Sequence, residues 1–217
     1  MAQKTTSAQA PKERIILGID PGTNVLGYGV LKVVGNKAEM VTMGVIDLRK
    51  VSDIYLKLGR IYERVMGIID SYLPDEMAIE APFFGKNVQS MLKLGRAEGV
   101  AIAAAISRQV PICEYAPLKV KMSITGKGSS SKQQVAVFMQ KMLNIPESSM
   151  LPYLDATDAL AVAYCHFLHS NRPDLTGSGG GTKSWKAYAQ QHGKGLSNTT
   201  TGPQKKLTQL LKTTKKK

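Results

Sequence analysis

Arg14–Asp20 reads RIILGID and runs straight into Pro21-Gly22-Thr23. A short apolar run closed by a carboxylate and a Pro-Gly turn predicts a buried strand whose end presents an acid. The next two stretches, Val25–Val34 and Glu39–Leu48, alternate apolar and polar residues and are separated by Gly35-Asn36. Alternation around a Gly-Asn pair predicts a hairpin, so the chain opens with three consecutive strands.

Working outward, the periodicity changes. Ile54, Leu58, Ile61, Tyr62, Val65, Ile69 and Tyr72 recur at helical spacing and predict a helix over Asp53–Tyr72. Met77–Glu80 (MAIE) predicts a fourth strand, closed off by Pro82. Val88–Arg108 predicts a long helix whose second half, GVAIAAAIS, is expected to be deeply buried. Val110–Tyr115 predicts a fifth strand. Ser130 with Gln133 fits a capping box for a helix to about Leu143, and Asp155–His169 is the last helix. Three strands followed by alternating helices and strands describe an α/β protein with a mixed five-stranded sheet flanked by helices. That order matches the ribonuclease H-like fold.

The 217 residues carry 29 basic against 16 acidic side chains, a net charge of +13. Such a balance points to a polyanionic partner, nucleic acid above all, but does not separate an enzyme from a passive binder. The charge is uneven. Residues 171–217 hold ten Lys or Arg and one acid, Asp174, whereas residues 11–170 hold 18 basic and 15 acidic residues. Three segments follow: a flexible N-terminal extension (1–13), a ribonuclease H-like domain (14–170) and a basic tail (171–217). The tail is rich in Gly, Ser, Thr and Lys, including Gly179–Gly181, and is expected to be disordered. It reads equally as a solubilising segment or as a DNA-contacting arm with Trp185 and Tyr188 available for stacking.

Two cysteines, Cys113 and Cys165, lack the spacing of a disulfide framework or a zinc site. The first ten residues lack an apolar h-region, and no run of eighteen apolar residues occurs. The expectation is therefore a cytoplasmic protein with no membrane partner.

Four acids carry the chemistry. Asp20 closes the first strand and Glu80 the fourth, while Asp155 and Asp158 lie three apart at the start of the last helix, on one face. If the first and fourth strands are parallel neighbours, their ends place Asp20 beside Glu80, and the last helix supplies the other two. Phosphodiester hydrolysis asks for such a set. Two Mg²⁺ ions roughly 3.5–4 Å apart activate water and stabilise the attacking and leaving oxygens, and hard cations take oxygen ligands. Without a cation the carboxylates are expected to repel one another and to hold raised pKa values. Taken singly, each acid also reads as a turn residue, a solvated strand end, an N-cap (Asp155) or a dipole partner (Asp158).

The strings GIDPGTNVLGYGV, AIEAPFFGKN, LKLGRAEGVAIAAA and DATDALAVAYCH, in this order, closely resemble the RuvC-type Holliday junction resolvases over about residues 14–170. The resemblance implies that Asp20, Glu80, Asp155 and Asp158 are catalytic carboxylates binding Mg²⁺, with Mn²⁺ able to substitute. It implies a homodimer that nicks opposing strands of a four-way DNA junction symmetrically, with a branch-migration complex as a further partner. Phe83 matches the family aromatic at the junction centre, although the adjacent Phe84 leaves open which ring points outward. Lys121 and Lys132 match basic positions near the family active site, suited to holding the scissile phosphate or developing charge. Lys86, Asn87, Lys93 and Arg96 are candidates for positioning backbone phosphates. The N-terminal extension and the tail have no counterpart in the family pattern.

Three other readings compete. An actin-like ATPase also opens with a strand and a G-x-D-x-G-T turn, but needs a second phosphate loop and an adenosine site. Another ribonuclease H-like nuclease would keep the fold and change the substrate. A catalytically silent DNA-binding module is disfavoured by electrostatics, because four unneutralised acids would repel DNA. His166 and His169 beside Cys165 read as a partly buried helix face, since a third metal ligand is missing.

Overall fold

The computed structural model of the chain describes residues 13–82 and 87–170. Five strands form one mixed sheet in the order β3-β2-β1-β4-β5. The strands are β1 (Glu13–Asp20), β2 (Val25–Val34), β3 (Lys37–Asp47), β4 (Glu76–Glu80) and β5 (Ile112–Tyr115). β1, β2 and β3 pair antiparallel, joined at β2–β3 by the expected Gly35-Asn36 turn, where Gly35 takes a positive φ of 59°. β1 pairs parallel with β4, and β4 parallel with β5. The parallel neighbours required to bring Asp20 to Glu80 are therefore present.

Helices cover both faces. α1 (Ile54–Tyr72) and α2 (Val88–Ser107) pack with Leu17, Ile19, Leu26, Val30, Met77 and Ile79. On the other face α3 (Pro117–Thr125), α4 (Lys132–Met142) and α5 (Leu154–Ser170) pack with Ile16, Leu31, Val33 and Ala78. Strand alternation decides which side each residue serves. No described helix is long and apolar enough to cross a membrane.

α5 lies unusually close to the sheet, and two glycines make that possible. A side-chain carbon at Gly18 would collide with the Ala159 carbonyl, and one at Gly27 with the Asp155 carbonyl. Ala156, Ala159 and Ala163, all fully buried, supply the matching small surface on α5.

Several expectations need correction. The capping box uses Ser131 and Gln134, one residue later than expected, with Gln134 N–H donating to the Ser131 hydroxyl and Ser131 N–H to the Gln134 carboxamide. Ser130 is turned inward instead, its hydroxyl 2.7 Å from Thr125 Oγ1, so the next serine is left to cap. The second half of α2 is not buried all round. Ala97, Ala101, Ala104 and Ala105 face the core, whereas Gly99 and Ala103 are exposed and Ile106 is 39% exposed. β5 starts at Ile112 rather than Val110. α3 was not expected at all, although Pro117 at its first turn and Gly126 in the left-handed region at its end are ordinary helix punctuation.

Candidate active site

The site is assembled by residue parity. Along β1, Ile16 and Gly18 face α5, so Asp20, two further on, faces the same way. Along β4, Ala78 faces α5, and Glu80 follows it. The last printed pair between these strands is Ile19 with Ile79, and one more step sets Asp20 beside Glu80. Asp20 also pairs with Gly27, the residue over which the Asp155 backbone passes. Close packing of α5 thus carries Asp155 and Asp158 to the end of β1. Asp155 lies within the first turn of α5, not at an N-cap position.

Asp20, Asp155 and Asp158 each offer a carboxylate oxygen within 4.8 Å of the others, the one such group of potential metal ligands among the described residues. Glu80 lies outside that tight set, yet the Asp20 and Asp158 charges both act on it. Lys132, at the first position of α4, reaches into the cluster. Its Nζ lies 2.6 Å from Asp158 Oδ2, 3.0 Å from Asp155 Oδ1 and 3.6 Å from Asp20 Oδ2. Lys121, on α3, forms no ion pair among the described residues but lowers the pKa of both Glu80 and Asp158 by its charge.

Burial dominates the electrostatics, ahead of the mutual repulsion expected from the sequence. Desolvation, reinforced by the charges of Asp158 and Asp155 and opposed by Lys132, pushes Asp20 up to about 7. Glu80 rises to about 8, by desolvation first and then by Asp20 and Asp158. Asp158 is raised too, again by burial, with Lys132 pulling it down. Burial alone would lower Lys132, but Asp20, Asp158 and Asp155 outweigh it and hold the ammonium above its ordinary range. These acids are clustered, half-desolvated and only partly compensated by one lysine. A hard divalent cation would complete such an oxygen donor set.

Two of the acids, Asp20 and Asp155, open onto a cleft of about 640 Å³. Asp20, Asp155 and Lys132 line it together with Asn24, Lys57 and Lys93. Of the residues proposed from sequence for DNA contact, Lys93 therefore lies in the cleft. Asn87 caps α2, its carboxamide oxygen accepting from Ser90 N–H at 3.1 Å, and Arg96 is exposed on α2 outside the cleft lining. Phe83, Phe84 and Lys86 lie outside the described residues, as does the tail. Sequence reasoning missed Lys57, whose ammonium donates to Asn24 Oδ1 at 3.0 Å.

The histidines form a separate network at the far end of α5. His166 sits 2.8 Å from the Tyr115 hydroxyl through Nδ1 and 2.7 Å from Glu76 Oε2 through Nε2. His169 lies against the Cys165 carbonyl. This is the buried helix face anticipated from spacing, and both cysteines are free thiols.

The model of the crossover junction endodeoxyribonuclease RuvC matches residues 16–166. The chain belongs to the RuvC family. A RuvC from Bacteroides fragilis is 63% identical over 180 residues, covering 83% of this chain and 94% of that protein. One from Porphyromonas gingivalis is 56% identical, covering 84% and 97%. Among solved structures, T. thermophilus RuvC in complex with Holliday junction substrate superposes with a TM-score of 0.66 at 31% identity, covering 73% of this chain and 95% of that one. RuvC membership agrees with the mixed sheet and removes the actin-like ATPase reading.

Proposed function

We propose that this chain resolves Holliday junctions, hydrolysing phosphodiester bonds in two opposing strands of a four-way DNA junction during recombination and repair. Membership of the crossover junction endodeoxyribonuclease family and the junction-bound structural relative support this reading. The observation that carries it is the convergence of Asp20, Asp155 and Asp158 oxygens within 4.8 Å, with Asp20 and Asp155 lining a cleft that Lys57, Lys93 and Lys132 also line.

Asp20, Glu80, Asp155 and Asp158 are the residues to hold Mg²⁺, or Mn²⁺ in its place, with two ions per site. Such ions, when bound, supply an activated water and stabilise charge on the attacking and leaving oxygens. Asp20 and Glu80 enter the metal-free site with raised pKa values, so loading the site releases protons. Lys132 balances the cluster in the metal-free protein and is within reach of any phosphate drawn to it. Lys121 adds a second positive charge on the Glu80 side. Both suit stabilisation of a pentacoordinate phosphate's developing charge. Phe83, three residues after Glu80, is the proposed stacking aromatic; an unstacked base on a ring recovers roughly 1–3 kcal/mol. Lys86, Asn87, Lys93 and Arg96 are proposed to contact backbone phosphates, and the basic tail to add affinity without reading sequence.

A homodimer would present two such sites to opposing strands. One stripe of α2 supports it: Val88, Leu92, Gly95, Gly99, Ala103 and Ile106 share a helix face, and among the described residues nothing comes within 4 Å of the space beside Gly95 or Gly99. Exposed helical glycines cost stability, roughly 1 kcal/mol each relative to alanine, unless a second helix packs there. Light scattering of wild type and Gly99→Arg tests the stripe, with a shift from dimer to monomer expected. A branch-migration complex as further partner rests on the resemblance alone.

Asp20→Asn tests the reading of the acids. Cleavage of a labelled junction should vanish while junction binding holds or tightens, because one negative charge leaves the cleft. Loss of binding together with cleavage would argue against a metal-holding role.

A further inference from the structure

We propose that Asn24 and Lys57 form a phosphate-binding pair that grips the DNA backbone beside the catalytic acids, a step away from the scissile bond. The inference rests on the nuclease reading and adds two residues to its machinery.

Three lysines line the cleft, and they are not equivalent. Lys132 is bound to three carboxylates within 4.0 Å. Lys57 and Lys93 have no carboxylate within that distance among the described residues. Lys57 differs again from Lys93 in being held. Its Nζ donates to Asn24 Oδ1 at 3.0 Å, from the first turn of α1 to the turn after β1. A neutral acceptor leaves the full positive charge in place and removes much of the side chain's freedom, so less entropy is lost on binding an anion.

The same hydrogen bond orients the amide. With Oδ1 committed to the ammonium, the Asn24 Nδ2 points elsewhere, and its two hydrogens meet no protein acceptor among the described residues. Lys57 has two further ammonium hydrogens to give. Two adjacent donor groups, one charged and one neutral, both aimed from exposed or half-buried positions on the cleft, suit the two anionic oxygens of a phosphodiester. Thr23, Ser52 and Ser90 add hydroxyls around them.

Position sets the role. Asn24 is four residues beyond Asp20 on the same turn, so the pair is rigidly tied to the metal-binding acids. Lys57 comes from the sheet face opposite α4, the helix of Lys132. Two cationic groups reaching one cleft from opposite faces would bracket the carboxylates that otherwise repel a polyanion. Contact at backbone phosphate fixes register and carries no base preference.

Titration of a labelled four-way junction in EDTA, from about 50 to 200 mM salt, reads the pair directly. Wild type is measured first: absence of junction binding would overturn the nuclease reading and this pair together. Given wild-type binding, Lys57→Gln should reduce the slope of log affinity against log salt by about 0.9 and weaken binding roughly tenfold near 0.1 M salt. Lys57→Arg should keep the slope, which a merely structural lysine would not require. Asn24→Asp should weaken binding more than Asn24→Ala, since a carboxylate would neutralise Lys57 and face the phosphate. In Mg²⁺, Lys57→Gln should raise KM and change kcat little. A folded Lys57→Gln with wild-type slope and affinity, or Asn24→Asp binding as well as wild type, would overturn the pair and leave the nuclease reading standing.

Discussion

Lys132 Nζ lies 2.6 Å from Asp158 Oδ2, inside the ring of acids where a divalent cation would bind. Lys132 is the one cation paired with Asp20, Asp155 and Asp158 among the described residues. Its side chain is 48% exposed, so it can leave the acids for a substrate phosphate without crossing a packed core. Lys132→Gln is expected to lower kcat for junction cleavage by about 10²–10³, the range for removing one transition-state charge stabiliser. Junction affinity in EDTA should change only a few-fold. Equal losses in both would make Lys132 an anchor for ground-state DNA instead.

Stability should depend on pH and metal in a linked way. Asp20 rises from 3.8 to about 7 and Glu80 from 4.5 to about 8 in the folded state. Between pH 4 and 8 the folded protein therefore holds more protons than the unfolded chain, and stability falls as pH rises through that window. Tm without metal is expected to drop from pH 5 to pH 8, and Asp20→Asn to flatten that drop. Mg²⁺ should raise Tm more at pH 8 than at pH 6, because at pH 6 it must displace protons. A metal effect independent of pH would contradict the shared site.

Gly27 faces the Asp155 carbonyl with no room for a side chain. Gly27→Ala should push the start of α5 off the sheet, costing about 1–3 kcal/mol as an overpacking change. Cleavage by the folded fraction should fall further than stability explains, since Asp155 and Asp158 move relative to Asp20. Thermal melts and single-turnover cleavage separate the two effects. Unimpaired cleavage by a destabilised variant would mean that α5 tolerates the displacement.

Much of this site is readable from the chain before folding. Asp20 and Glu80 end apolar runs, and Asp155 and Asp158 have helical spacing, so backbone periodicity marks each acid as a candidate without bringing the four together. The register that makes Asp20 and Glu80 neighbours is not local, nor is the approach of α5, which depends on Gly18 meeting Ala159 and Gly27 meeting Asp155, each far away in the chain. Lys57 and Asn24 are 33 residues apart and follow no periodic pattern, which is why their contact is invisible in sequence. The serine run from Ser129 to Ser131 shows the opposite limit. Three identical residues offer the same cap, and only the inward bond of Ser130 to Thr125 decides which is used.

The far end of α5 should titrate independently. Burial would lower His166, but the nearby Cys113 and the hydrogen-bonded Glu76 outweigh it and raise the imidazole from 6.5 to about 9. Its stabilising contribution is complete below pH 6.5 and is lost as pH rises through 9. Glu76→Gln should weaken that pH dependence and cost about 1–3 kcal/mol at pH 6, by leaving a buried imidazolium poorly paired. Cleavage by the folded protein should be unaffected, because Glu76 and Glu80 lie at opposite ends of β4. A lost cleavage rate in fully folded Glu76→Gln would tie this network to the active site.

The acids at the end of β1 are proposed to cut branched DNA with a divalent metal. Cleavage of a labelled synthetic four-way junction, with linear duplex as control, in Mg²⁺ and in EDTA, tests it most directly. Paired, symmetrical nicks are expected on the junction alone, present in Mg²⁺ and absent in EDTA. Binding without cleavage across several junction sequences, in Mg²⁺ and in Mn²⁺, would contradict it.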